Sequence, residues 1–259
     1  MAELARHLSI EGSKNNRSEK IRVKDQILDR RTPELVFGFC GAIGSGVSTV
    51  STEFGNKFKS LGYSVERIKI SQIIENLKPK IATALDIEWC DKFGKRAKRV
   101  GELQEAGNAL RKMFSHDILA QVAIAEISTT RSERYLSDEA KERLQQKRDP
   151  IEKNKVVWLI DSLKNPEEVE AFRYVYGSMF FLVGVLCPIE SRRLRLIKKK
   201  MKDGEASVLI EKDKSEPVQY GQKLMDTLQN ADIFIDNSND NLKKLNFRSR
   251  KILISNCNY

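Results

Sequence analysis

An α/β fold, with a five-stranded parallel sheet and helices on both faces, is predicted by three observations. A short apolar run, Leu35 to Cys40, breaks into glycines and resumes as a hydroxyl-rich helical segment. Further apolar runs of strand length alternate with helical segments along the chain. One of them, KVVWLID, ends on an acid, Asp161.

The glycine segment carries the first chemical signal. Glycines let consecutive backbone N–H groups turn inward, and a helix that starts there adds its own unpaired N–H groups and positive dipole end. Against the phosphate-loop pattern G-x-x-x-x-G-K-S/T, the chain supplies Gly41, Gly44, Ser45 and Gly46, then Val47 in place of the lysine, then Ser48 and Thr49. This predicts the P-loop NTPase fold and makes Gly41, Gly44, Ser45, Gly46, Val47, Ser48 and Thr49 the candidate phosphate site. The lysine would reach the terminal phosphates, and losing it removes a charge-assisted contact worth roughly 1.5–3 kcal/mol. Nucleotide binding is therefore better supported than phosphoryl transfer. Compensation is expected from Arg192 or Lys95.

The helix after the loop is expected over Val47 to Leu61, with Gly62 as its C′ residue. Ser64 to Ile70 reads as a second strand and Ser71 as the N-cap of a helix through Leu77. Lys78 to Arg99, with Pro79, Trp89 and a basic run, reads as an irregular insertion over the site. From Val100 one apolar helical row runs through Leu103, Ala106, Leu110, Met113 and Asp117, with Ile118 beside it. Gln104, Gly107, Asn108, Arg111 and Ser115 form a second row. Arg111 is the candidate for gripping a second phosphate or carboxylate, and Gln104 and Asn108 for reading a base or sugar edge.

Arg131 to Asp149 reads as an exposed charged helix closed by Pro150. The strand Lys155 to Asp161 places a carboxylate at the sheet edge where the loop opens, so Asp161 and Ser48 are the candidate Mg²⁺ ligands. Pro166 with Glu167 and Glu168 opens the next helix. Met179 to Cys187 is an apolar strand, and Ile189 to Lys202 a basic helix. Its Arg192, Arg193 and Arg195 could neutralise charge on a transferring phosphoryl group, Arg192 and Arg193 being the catalytic candidates beside Asp161. Helices are expected over Ala206 to Glu211 and Gln219 to Gln229, and a last strand over Asp232 to Asp236. Asn237 follows it as a candidate base contact. Domain bounds are expected at 1–31 for a polar arm, 32–240 for the nucleotide-binding domain and 241–259 for a basic tail.

Composition narrows the classes. The 259 residues carry a net charge of +10, concentrated in Lys92 to Arg99, Arg192 to Lys202 and Lys243 to Lys251. Such clusters suit a polyphosphate cleft, and no nucleic-acid-binding motif accompanies them. No apolar run is long enough to span a bilayer, and the first residues lack a signal-peptide core. The cysteines Cys40, Cys90, Cys187 and Cys257 are widely spaced and read as reduced thiols of a cytoplasmic protein. Neither His7 nor His116 stands in a zinc-ligand pattern, so no zinc is expected.

Taken in order, FGFCGAIGSGVST, LQEAGNALR, VVWLIDSLKNPEEVEAFRYVYG, FFLVGV, LIEKDKSEPVQYGQ and ADIFID resemble the N-terminal kinase-like domain of bacterial anti-phage deoxycytidylate deaminases. The resemblance runs from about Leu35 to Asn237, and DSLKNPEEVE is its most specific part. More distantly the chain is similar to deoxynucleoside monophosphate kinases, where the counterparts of Leu103, Gln104, Gly107 and Arg111 help hold the acceptor nucleotide. In the deaminase family a zinc domain carrying H-x-E and P-C-x-x-C follows. Neither motif occurs in these residues, so the resemblance implies a sensing or regulating domain for a deaminase domain or subunit. Its ligand is expected to be ATP or a deoxynucleotide with Mg²⁺. The alternatives are an active deoxynucleoside monophosphate kinase and a regulatory module that binds a deaminase, an RNA regulator or a second copy of itself as a homo-oligomer.

Overall fold

In the computed structural model, residues 34–85, 87–135, 155–214 and 223–238 are described. The N-terminal arm, the basic tail, Cys257, and most of the charged segment after Arg131 lie outside them.

Five parallel strands form one sheet: β1 (Leu35–Gly41), β2 (Ser64–Lys69), β3 (Val156–Leu163), β4 (Phe180–Leu186) and β5 (Ile233–Asp236), in the order β2-β3-β1-β4-β5. The register sets Phe37 of β1 between Leu159 of β3 and Phe181 of β4. Each connection is long enough to carry at least one helix, as parallel pairing requires. These are α1 (Val47–Ser60), α2 (Ile70–Leu77), α3 (Lys95–Met113), α4 (Ile118–Arg134), α5 (Pro166–Tyr176), α6 (Ile189–Lys198), α7 (Asp203–Lys214) and α8 (Leu224–Gln229).

The apolar strands are continuous because both faces are covered. On one face Phe37, Phe39, Val157, Leu159, Val183 and Val185 pack with Val47 and Val50 of α1. On the other, Val36, Cys40, Trp158, Ile160 and Leu182 pack with side chains of α2, α3, α4 and α5. A smaller core joins Ala97 of α3 to Leu196 of α6 and to Ala206, Leu209 and Ile210 of α7, with Ile43 of the glycine loop against it. That third cluster seats α6 and α7 beside the loop.

Several sequence expectations shift. Gly62 does adopt φ +80° just past α1, but Ser71 lies inside α2, whose N-cap is Lys69 with no side-chain cap bond. The insertion is not irregular throughout. Lys78–Ala84 and Glu88–Cys90 are 3₁₀ turns, α3 begins at Lys95, and Ile81, Cys90 and Ala97 are buried. The apolar row does not run on to Asp117. The helix stops at Met113, and Asp117 becomes the N-cap residue of α4, its carboxylate accepting from Ser115 Oγ at 2.6 Å and Gln121 Nε2 at 2.9 Å. The strand ending at Asp161 continues to Leu163, and α5 is capped by Asn165 in a capping box with Glu168. The basic helix ends at Lys198, and α7 spans Asp203–Lys214.

Candidate functional site

The loop leaves the centre of the sheet between β3 and β4. Gly44 and Gly46 take φ +80° and +88°, conformations open to glycine but strained for other residues. Close approach adds a second reason at Gly44, where a methyl group would lie 2.8 Å from the Arg192 carbonyl oxygen. Gly46 is the N-cap of α1 and has no side-chain cap bond; the Thr49 and Val50 amides donate to its carbonyl. The first turn of α1 thus faces the loop mouth with its dipole's positive end.

At that mouth Ser48 is exposed on the first turn of α1, and Asp161 of β3 is half-buried. Burial raises the Asp161 pKa from the ordinary carboxylate range, opposed by the Ser48 hydroxyl and by the positive fields of Lys69, Arg67 and Lys164. A hydroxyl and a carboxylate are hard oxygen donors of the kind Mg²⁺ takes, so this pair fits the ion expected there. Among the described residues no group of three or more His, Cys, Asp or Glu side chains forms a metal-binding cluster.

The other sequence candidates separate. Ser45 is fully buried and its Oγ has no partner among the described residues, while its carbonyl accepts from Asn237 Nδ2 at 2.7 Å and Arg195 Nη1 at 3.1 Å. Asn237 is therefore a buried brace for the loop rather than an open base contact. Thr49 is exposed on the first turn of α1, and Val47 is buried in the core. Arg192 is buried with its backbone against Gly44 and its Nε unpartnered among the described residues. Arg193 turns to the surface, where it donates to both carboxylate oxygens of Asp203 at 2.6 and 2.5 Å. Lys95 is exposed at the start of α3.

On α3 the second row turns inward. Arg111 is buried, and its Nε and Nη2 lie 3.0 and 2.7 Å from Glu168 Oε1. This is a buried ion pair, not the open guanidinium that the helical row suggested. Asn108 Oδ1 lies 3.5 Å from Arg111 Nη1, and a methyl at Gly107 would come within 3.4 Å of the same nitrogen. Gln104 is buried with its Oε1 unpartnered among the described residues. Glu168 Oε2 accepts the backbone amides of Lys164 and Asn165, which couples this row to the end of β3.

Two residues at the loop escaped the sequence reading. Lys164, three positions past Asp161, donates its Nζ to the Gly41 carbonyl at 2.8 Å and to Asp213 Oδ1 at 2.9 Å. Asp213 of α7 is buried, and its Oδ2 accepts the Ile43 amide at 2.7 Å. The signals in the sequence were that Lys164 follows the strand ending beside the loop and that both residues lie in segments carrying the resemblance, DSLKNPEEVE and LIEKDKSEPVQYGQ. α7 is further held by Glu205, which accepts the Gly94 amide at 2.8 Å, and by Lys212, which pairs with Glu105 and lies 4.4 Å over the Trp89 ring.

A glycine loop from the central strand of a parallel sheet, opening directly into a helix beside a strand that carries an acid, is the arrangement of an α/β P-loop NTPase fold. Among solved structures the chain is similar to the Mycobacterium tuberculosis APS kinase in complex with AMPPNP and APS, at 14% identity over 85% of this chain and 98% of that one, with TM-score 0.42. It is also similar to a Thermus thermophilus protein, at 17% identity over 85% and 96%, TM-score 0.37. A third is the Acinetobacter baumannii shikimate kinase in complex with shikimate, at 14% identity over 72% and 78%, TM-score 0.30. No protein-family model matches the sequence, and neither does any curated protein. Among the described residues no helix is long and apolar enough to cross a membrane.

Proposed function

We propose that this chain binds a nucleotide with Mg²⁺ at the glycine loop and acts in the cytoplasm, in the deoxynucleotide metabolism of anti-phage defence, as the sensing or regulating partner of a deoxycytidine-nucleotide deaminase module. The observation that carries the binding half is the loop geometry: Gly44 and Gly46 at positive φ open straight into α1, on whose first turn Ser48 lies, and Asp161 stands on the paired strand β3. Ser48 and Asp161 would hold Mg²⁺, which would supply positive charge to offset that of the phosphates. The loop amides and the α1 N-terminus orient the phosphates, and Arg192 and Arg195 add positive charge beside the loop. The deaminase context rests on the sequence resemblance, above all on DSLKNPEEVE.

Sensing is favoured over turnover because Val47 brings no amine to the phosphates and Arg193 is committed to Asp203 at the surface. One observation favours a second reading, a deoxynucleoside monophosphate kinase. Gln104 Oε1, buried and without a partner among the described residues, is an acceptor that a donor such as a base amino group would satisfy.

The test is calorimetry of the full chain, with Mg²⁺, against ATP and each deoxynucleotide, repeated with Gly46→Glu. Binding that the variant abolishes supports the site, and the bound ligand is then assayed for phosphorylation and for its effect on a co-expressed deaminase. No binding to any of them overturns the reading.

A further inference from the structure

Val47 leaves the loop without its pattern lysine, yet the loop is not without an ammonium. The Val47 side chain points at Gly41: a methyl group built there would lie 2.8 Å from Val47 Cγ2. A lysine at that position would begin its reach beside Gly41. Lys164 Nζ reaches the same residue from the end of β3 and bonds the Gly41 carbonyl at 2.8 Å. Its side chain is only 16% exposed, so its charge is little screened.

We propose that Lys164 is the phosphate-contacting lysine of this site, supplied from β3 instead of the loop, and that Asp213 of α7 competes with phosphate for it. The inference rests on the nucleotide-binding reading above. Asp213 spans two groups that a phosphate would use, the Lys164 ammonium at 2.9 Å and the Ile43 amide at 2.7 Å. A carboxylate there imitates the anion, so a ligand phosphate has to displace it or share its partners. Because Asp213 is carried by α7, phosphate binding and the seating of that helix are opposed.

A purely structural Lys164–Asp213 pair would behave differently. Removing either partner would then disturb the loop in the same direction, whereas competition predicts opposite signs.

The probe is inorganic tripolyphosphate with Mg²⁺, titrated calorimetrically into the full chain. Asp213→Asn is expected to bind it several-fold more tightly than wild type, and Lys164→Met at least tenfold more weakly. Because Lys164→Met strands a buried carboxylate, the decisive variant is Lys164→Met with Asp213→Asn, which leaves no unpaired charge. It should bind at least tenfold more weakly than Asp213→Asn alone, and adding Val47→Lys should restore part of the loss. Equal affinity of the double variant and Asp213→Asn overturns the proposal, as does weaker binding by Asp213→Asn. If wild type binds and Gly46→Glu abolishes binding while Lys164 proves irrelevant, only this inference falls. If wild type binds neither tripolyphosphate nor any nucleotide, the site reading falls with it.

Discussion

Arg111 of α3 and Glu168 of α5 form an ion pair in which both side chains are at most 2% exposed, with Arg111 Nη2 2.7 Å from Glu168 Oε1. The other oxygen of Glu168 accepts two amides at the start of α5, so the carboxylate is fully used. A buried charge stripped of its partner keeps the cost of desolvation and loses what offset it. Arg111→Ala is accordingly expected to lower the unfolding free energy by about 3–5 kcal/mol, seen as a melting midpoint lower by on the order of 10 °C. Arg111→Ala paired with Glu168→Gln, which removes the charge but keeps an oxygen for the two amides, should recover part of that loss. Chemical denaturation of the three chains checks both statements. A neutral Arg111→Ala would mean that the pair is not formed in solution.

Asp161 predicts a pH dependence of unusual sign. Burial, the largest influence, raises its pKa in the folded chain, so the ionised form is the one that folding disfavours. The penalty is absent below the ordinary aspartate range near ~4, grows as pH climbs through the raised folded value, and is constant above it. Asp161→Asn removes it. The variant should melt higher than wild type at neutral pH, with the two curves converging in acid. The same variant should bind Mg²⁺ with nucleotide roughly tenfold or more weakly, because a metal ligand is gone. Greater stability with weaker binding marks a functional acid. A variant less stable than wild type at neutral pH would contradict the account.

Gly46 meets two obstacles to any side chain, a φ of +88° and the Asn237 amide nitrogen where a Cβ would stand. Gly46→Ala should destabilise by about 1–2 kcal/mol from backbone conformation alone, and by more from the clash. Asn237→Ala alone frees one donor to the Ser45 carbonyl, leaving Arg195 as its side-chain partner. Combined with Gly46→Ala it should relieve the clash but not the backbone strain, so the double variant falls between. Melting curves of the set separate the two terms.

Local chemistry made the architecture legible. Strand, glycines and helix are adjacent in sequence, as are Asp161 and its strand, and Pro166 announced α5. The helix-to-strand alternation yielded all five strands within about two residues. What pairs across distance did not show. The periodicity of α3 placed Gln104, Gly107 and Arg111 on one face but could not say that Glu168, 57 positions away, would meet Arg111 there. Lys164 and Asp213 are 49 positions apart, and although each lies in a segment that carries the resemblance, neither segment says that they pair. The N-cap of α2 failed because the helix starts two residues early, where Lys69 leaves β2 directly. Trp89 and Ala97 look unremarkable in a basic stretch, yet they belong to the cluster that seats α6 and α7.

The cysteines give a readout of the loop's brace. Burial pushes the Cys40 thiol up to about 12, so at neutral pH only about one part in 10⁵ would be thiolate, against a few per cent for an ordinary thiol. Cys90 is buried, and its pKa is raised by that burial and then by Glu102 and Asp91. Cys187 is half-buried, with Arg195 Nη1 3.2 Å from its sulfur and the same guanidinium bonded to Ser45 and Asn237. In a Cys257→Ser background, brief iodoacetamide treatment followed by peptide mapping should label Cys187 first. Cys40 should lag by about a thousandfold, its labelling rising only with unfolding. Alkylated Cys187 crowds Arg195 out of its bonds to the loop, so the labelled chain should bind nucleotide more weakly, and bound nucleotide should slow the labelling. Labelling of Cys40 at a rate comparable to Cys187 would show that the central strand opens far more readily than its packing implies.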